Sequence, residues 1–204
     1  MSERRLAGVL LGVGLFAALV VWGPMAEEEP TAARSPAASA RGMLEPRLRP
    51  APPQRLAIPR LGVRAQVVAV DVGPDRTMRP PRRPDVVGWW SGGAAPGAAR
   101  GRTVVAGHTV HTGGGAFDHV SRLRRGDRID VRTSSGVLRY TVERVQTFHK
   151  DALADAAERL FARDGPPRLV LVSCDDWDGR RYLSNVVVVA APVRAVPTRE
   201  RLNR

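Results

Sequence analysis

The chain has 204 residues, of which 43% are hydrophobic and 5% aromatic, so it suits one ordinary domain plus tails with a core of Val, Leu and Ala. Its formal net charge is +12, carried almost wholly by arginine, yet the basic residues form no dense run. Because no helix-turn-helix, zinc-finger or RNA-binding signature accompanies them, we expect no nucleic-acid partner.

The N-terminus carries an uncharged apolar segment, Leu6–Met25, between Arg4-Arg5 and Glu27–Glu29. A membrane-spanning helix needs about 20 such residues, whereas a cleavable signal peptide has an apolar region of roughly 7–15. Basic flanks stay on the cytoplasmic side. We therefore predict that residues 1–25 are a cytoplasmic stub and a transmembrane signal anchor, with a single pass through the cell membrane and the remainder extracellular.

Three further parts follow the predicted anchor. Residues 26–54 are rich in Pro, Ala and Arg without apolar periodicity, which predicts an extended extracellular linker. Residues 55–195 form the predicted folded domain, and residues 196–204 are a basic tail. Anionic wall polymers and lipid headgroups are the expected counter-charges of an exported basic domain.

The folded domain is predicted to be mainly β. Strand patterns and turn residues alternate along it, and only two segments, 117–123 and 151–161, favour helical turns. The predicted strands are Leu56–Pro59, Val63–Val72, Thr103–Ala106, Arg128–Thr133, Val137–Val145, Arg168–Cys174 and Tyr182–Ala191. Many short strands without βαβ alternation indicate a barrel or a sandwich.

Cys174 is the only cysteine, so no intrachain disulfide can form. It ends the predicted strand Arg168–Cys174 and precedes an acidic turn, with Arg180 and Arg181 across that turn. A thiol is a useful nucleophile only as the thiolate, which a nearby cation favours. The alternative is that Cys174 is a small core residue and both arginines are solvated.

His108 follows another short strand and could exchange protons with a reacting amine. An ordinary surface histidine is the alternative. Two further possibilities stay open: a zinc site, which would need more ligands than this loop offers, and a Cys-His-Asp triad. The zinc site would use His108, His111 and His119, and the triad Asp118, Asp127 or Asp130.

Taken together, the motifs resemble those of the sortases. They are LAIPRLGV, VGWW followed by PGA, TVVAGHT, GAFDHVSRLRRGDRIDV, LVLVSC and RRYLSNVVVVA, and they span residues 55–191. The pairing of GHT with LVSC is the specific element. The VGWW-PGA and YLSNVVVVA segments are most similar to class F sortases of actinobacteria, with class E second.

The resemblance implies an eight-stranded β-barrel with one or two short helices and a Cys-His-Arg site. Cys174 matches the nucleophile and His108 the general acid/base. Strand parity favours Arg181 over Arg180 as the active-site arginine, although many sortases carry it nearer the position of Asn185. Ser173 stands where Thr is usual, and we expect Arg180 and Ser173 to help bind substrate.

The resemblance further implies a cysteine transpeptidase, of the hydrolase class, that needs no cofactor and no metal. It would cleave an LPxTG-like sorting signal between Thr and Gly through a thioacyl intermediate, and would pass the surface protein to an amine of a peptidoglycan precursor. The calcium site of some sortases is not expected, because no matching acidic cluster is visible. A hydrolytic cysteine peptidase and a non-catalytic wall-binding module are the two rivals.

Overall fold

The computed structural model describes residues 48–73 and 77–197. These residues contain eight β-strands and one α-helix, together with two short 3₁₀ turns at Pro59–Leu61 and Val120–Arg122. The strands are β1 Pro53–Ile58, β2 Val63–Val70, β3 Val86–Trp90, β4 Arg102–Ala106, β5 Arg128–Thr133, β6 Gly136–His149, β7 Arg168–Trp177 and β8 Tyr182–Pro197; the helix α1 is Lys150–Leu160.

The strands close into a barrel in the order β1-β2-β3-β4-β7-β8-β6-β5, which confirms the predicted eight-stranded, mainly β fold. Two neighbouring pairs, β2–β3 and β4–β7, are parallel, and the remaining neighbours are antiparallel. The β4–β7 pair matters most for function, because it lays the strand before His108 beside the strand that carries Cys174.

Side chains of β7 and β8 are buried on both faces of the sheet. Val186 and Val188 point into the barrel, whereas Val187 and Val189 lie in an outer cluster with Ala156 and Leu160 of α1. A strand covered on both sides is apolar along its whole length instead of alternating. This double cover explains the unbroken Val186–Val189 run in the sequence.

The structure corrects the predicted end of β7. Cys174 was expected to end its strand, but β7 continues for three residues to Trp177. Asp175 pairs with Ser184 and Trp177 pairs with Tyr182, so the acidic residues after Cys174 belong to the hairpin and not to its turn. Cys174 therefore lies within a paired strand, where its backbone is held from both sides.

The predicted anchor at residues 1–25 lies outside the described residues, as does the linker up to residue 47 and the tail from residue 198. Leu48 and Ala51 are buried in the domain, so the packed chain already includes the last residues of the predicted linker. Among residues 48–73 and 77–197, no helix has the length and apolar character needed to cross a membrane.

Candidate active site

Cys174 lies on the outer face of the barrel wall. Along β7, Val170 and Val172 belong to the outer cluster beneath α1, and Leu171 points into the barrel. Because side chains alternate along a strand, Cys174 shares the outer face with Val170 and Val172. Its side chain is half-buried, so the thiol is held in place and still accessible.

His108 stands beside Cys174 at the end of the neighbouring strand. Ala106 pairs with Val172 in the parallel β4–β7 register, and the Gly107 N–H donates to the Val172 carbonyl. The next residue, His108, is thereby carried to the level of Cys174. Its Nε2–H donates to the carbonyl oxygen of Pro81 at 2.7 Å, which orients the ring and leaves Nδ1 to exchange a proton with a reactant.

Two hydroxyl groups join the His108 segment to β7. The hydroxyl oxygens of Ser173 and Thr109 lie 2.6 Å apart. The Ser173 hydroxyl is within hydrogen-bond distance of the Gly107 carbonyl oxygen at 2.8 Å, and the Thr109 hydroxyl is 2.7 Å from the Cys174 carbonyl oxygen. Ser173 is only 3% exposed and points into the barrel. Its hydroxyl is thus engaged within the protein, whereas the sequence suggested that it binds substrate.

Replacing Thr109 with Val should destabilise the protein by about 1–3 kcal/mol, because the buried carbonyl of Cys174 and the Ser173 hydroxyl lose a partner. Thr109→Ser keeps the hydroxyl and is the matched control. Urea unfolding of the two variants measures the difference in free energy of unfolding. Equal stability of Thr109→Val and Thr109→Ser would show that the hydroxyl pair does not secure this junction.

Both predicted arginines lie in the hairpin turn. The backbone N–H groups of Arg180 and Arg181 donate to Asp178 Oδ1 at 2.7 and 2.8 Å, which lowers the pKa of that carboxyl. The Arg181 side chain is 78% exposed, and its Nε lies 4.0 Å from Asp178 Oδ2. The Arg181 guanidinium therefore lies beside Asp178 and solvent, and Arg180 is also exposed.

Asn185 occupies the position directly across from Cys174 on β8. Directly opposed residues of antiparallel strands have Cβ atoms about 4.5–5.5 Å apart, so these two side chains are immediate neighbours on the outer face. The Asn185 amide nitrogen donates to the Ser173 carbonyl at 3.2 Å. Arg181 precedes the start of β8 and is four residues from Asn185, which corresponds to at most roughly 13 Å of extended chain.

Burial raises the pKa of the Cys174 thiol, and the nearby charge of Lys150 opposes this by lowering it. At neutral pH the thiol is therefore mainly protonated, and a neighbouring base must remove its proton before attack.

The hydroxyl of Tyr182 is also buried, without a hydrogen-bond partner among the described residues. Its burial and the charges of Cys174 and Asp118 raise the pKa of Tyr182.

An open groove of about 530 Å³ borders this hairpin and the loop after His108. On one side, the ring of His111 stacks on Trp177 with centroids 4.2 Å apart, and Trp177 contacts Tyr182. Asp175 and Asp176 also line the groove. The residues that follow His108 and Cys174 in the sequence, Thr109 and Asp175, line the groove. Trp177 is one of the exposed large hydrophobic residues.

The other histidine hypotheses receive no support from the geometry. Across residues 48–73 and 77–197, no three His, Cys, Asp or Glu side chains are grouped so that they could hold a metal ion. His108 is bonded to Pro81, and none of the three aspartates of the possible triad orients its ring. Asp118 accepts from backbone N–H groups, and Asp127 and Asp130 pair with arginines.

Residues 56–193 match the sortase domain family, which covers more than half of the chain. The chain belongs to the sortase family. This sortase is thus a cysteine transpeptidase by family, and the predicted family is confirmed. A search of curated proteins found no match.

Solved sortases of several classes share the fold. Sortase E1 from Streptomyces coelicolor, solved with a tripeptide in its active site, is 19% identical, with a TM-score of 0.57 over 72% of this chain and 91% of that one. Listeria monocytogenes sortase A is 16% identical, with a TM-score of 0.56 over 72% and 91%. Sortase C-1 from Actinomyces oris is 22% identical, with a TM-score of 0.52 over 68% and 72%.

Sequence reasoning missed three residues that the sortase fold places at the thiol or beside it: Thr109, Asn185 and Lys150. Thr109 follows His108 directly, so its proximity could have been inferred. Asn185 could have been found by pairing residues outward from the hairpin turn, had the length of β7 been known. Lys150 offered no signal, because its position depends on how α1 packs on the sheet.

Proposed function

We propose that this sortase cleaves an LPxTG-like sorting signal between Thr and Gly and transfers the surface protein to an amine of a peptidoglycan precursor. The observation that carries the proposal is the placement of Cys174 on the outer face of β7 beside His108, within a sortase domain. The tripeptide held by the structurally similar sortase E1 supports a peptide substrate. The motifs VGWW-PGA and YLSNVVVVA favour class F, with class E second.

The chemistry begins with transfer of the Cys174 thiol proton to Nδ1 of His108. The thiolate attacks the carbonyl carbon of the Thr–Gly bond and forms a tetrahedral intermediate. As the C–N bond breaks, His108 returns the proton to the departing glycine amine, and a thioester remains on Cys174. An incoming amine then attacks the thioester, loses its proton to His108 and releases the thiol. The reaction needs no cofactor.

Arg181 keeps its predicted role as the donor to the developing oxyanion, with Arg180 as a second contact to the substrate. Arg181 lies in the hairpin turn directly before β8, four residues from Asn185, which is paired with Cys174. Its exposed side chain is tied only loosely to Asp178 and is free to turn toward a bound peptide. The proposal therefore includes a rearrangement of this side chain when substrate binds.

The proposed location is the outer side of the cell membrane, with the domain tethered by the apolar segment Leu6–Met25 and by the part of the linker that precedes the packed residues. A single cysteine suits an oxidising compartment, because no second thiol in the chain can capture it as a disulfide. The tether would keep the site close to membrane-bound precursors that carry the acceptor amine. The surface protein and the precursor that carries the acceptor amine would then meet at the outer surface of the membrane.

Mass spectrometry tests the proposal directly. Incubation of the purified chain with an LPxTG peptide should add the acyl part of that peptide to Cys174, because the thioester accumulates when no amine is supplied. Cys174→Ala should show no adduct. Addition of an amine should convert the adduct to a transpeptidation product. Arg181→Gln should slow adduct formation more than Arg180→Gln does.

Other outcomes would favour the rival functions. Release of the free acid at the same rate with and without amine would indicate a hydrolytic peptidase of the thiol-protease class. A chain that forms no adduct with any sorting peptide, and alkylates at Cys174 no faster than the unfolded chain, would indicate a non-catalytic wall-binding module.

A further inference from the structure

The start of helix α1 lies at the same end of the sheet as Cys174. In the strand order β6-β8-β7, Phe148 pairs with Asn185, and Asn185 pairs with Cys174. Neighbouring strands are about 4.8 Å apart, so the Phe148 backbone is roughly 10 Å from that of Cys174. The helix begins two residues later, at Lys150.

From this start the helix runs back over the outer face of the sheet. Phe148 and Leu160 both belong to the outer cluster, together with Val170 of β7, which precedes Cys174 by four residues. Cys174 faces the same side. The N-terminal end of α1 therefore points toward the region of the thiol, and its C-terminal end points away from it.

Two sources of positive charge meet at this helix start. His149 provides no side-chain cap, so the first N–H groups of α1 keep their partial positive charge. Lys150 is exposed at the first helical position and is the only lysine in the sequence. The charge of Lys150 acts on the thiol in the direction that favours the thiolate.

We propose that Lys150, at the start of α1, is the cation that favours ionisation of the Cys174 thiol when its proton is removed, ahead of either hairpin arginine. Lys150 acts through Cys174 and is therefore a positioning residue for the nucleophile. The inference rests on the proposed role of Cys174 as the nucleophile. It explains how a half-buried thiol can ionise although the backbones of Arg180 and Arg181 lie in the hairpin turn and the Arg181 side chain is 78% exposed.

Other ionisable groups surround the thiol and define what the experiment must separate. One lies after β4, one on β8, and two on β7 itself. They are His108, Tyr182, Asp175 and Asp176. Substitution of Lys150 changes none of these four residues. A series of variants that differ in charge at position 150 therefore isolates the effect of the Lys150 charge on the reactivity of the thiol.

The test is the pH profile of Cys174 alkylation by iodoacetamide in the purified full chain, in which Cys174 is the only thiol. At neutral pH and low salt, Lys150→Gln should slow alkylation roughly threefold and Lys150→Glu roughly tenfold, with both curves displaced to higher pH. Lys150→Arg keeps the charge and should retain the wild-type profile. About 1 M salt should shrink the differences, because screening is then strong.

Arg159→Gln is the matched control, because Arg159 is an exposed cation in the last turn of the same helix. It should leave the profile unchanged. Identical profiles for wild type, Lys150→Gln and Lys150→Glu would overturn the proposal. Since alkylation requires no sorting peptide, this result is independent of whether the LPxTG reaction is observed, and the two proposals fail separately.

Discussion

Replacing His108 with Gln should lower kcat/KM for peptide transfer by about 10²–10⁴-fold, because the leaving glycine amine then departs without a proton donor. Glutamine can still donate to the Pro81 carbonyl that holds His108 at 2.7 Å, so the local fold should survive. The measurement is steady-state transfer of an LPxTG peptide to an added amine. Thiol alkylation should fall less, since it requires deprotonation of Cys174 but releases no amine.

A peptide thioester in place of the peptide bond separates the chemical role from a structural one. Its leaving thiolate needs no proton, so His108→Gln should affect thioester turnover at least tenfold less than peptide turnover. His119→Gln changes an exposed histidine nearby and should be close to wild type. Equal losses on both substrates would mean that His108 does not act by protonating the leaving amine.

Gly107→Ala should destabilise the fold by about 2–3 kcal/mol and lower activity by roughly a hundredfold. A Cβ at Gly107 would lie 2.5 Å from the Phe117 ring, which is 1% exposed and cannot move into solvent. Either Phe117 or the Gly107-His108 backbone must shift. Because His108 is the next residue, that shift displaces the imidazole. Thermal unfolding and kcat/KM measure the two effects.

Combination with Phe117→Leu provides the control for this steric argument. The smaller side chain makes room for the new methyl group, so the two substitutions together should be less harmful than the sum of their separate effects. A double-mutant cycle gives this coupling free energy. Additive effects would show that Gly107 is required for a reason other than contact with Phe117.

Much of the fold followed from the sequence. The apolar alternation of 128–133 and 137–145 predicted the β5–β6 hairpin, and the spacing of Leu153, Ala156 and Leu160 predicted α1 within one residue at each end. The end of β7 did not follow, because Asp175, Asp176 and Trp177 have the composition of a turn. Pairing across the hairpin overrides that local preference, with Asp176 accepting a φ of 62°.

The sequence indicated which residues belong to the candidate site, but not how they are arranged in space. Cys174 and His108 were singled out by their positions near strand ends, and the fold brings their strands together. Strand parity related Arg181 to Asn185 on the assumption that both lie in one strand, but β8 begins at Tyr182 and Arg181 lies in the turn before it. The turn fixed by Asp178 leaves Arg181 in solvent and Asn185 across from the thiol. Such relations depend on register and helix packing, which one sequence does not reveal.

The parallel pairing of β4 with β7 has a consequence for how the enzyme acquires activity. Hydrogen bonds at this junction join residues 64 to 66 positions apart. Contacts between residues so far apart in the sequence have a large entropic cost of loop closure, so they tend to form late in folding. No local segment can bring Cys174, the proposed nucleophile, beside His108, the proposed acid/base. Regained turnover after refolding should therefore report completion of the whole barrel.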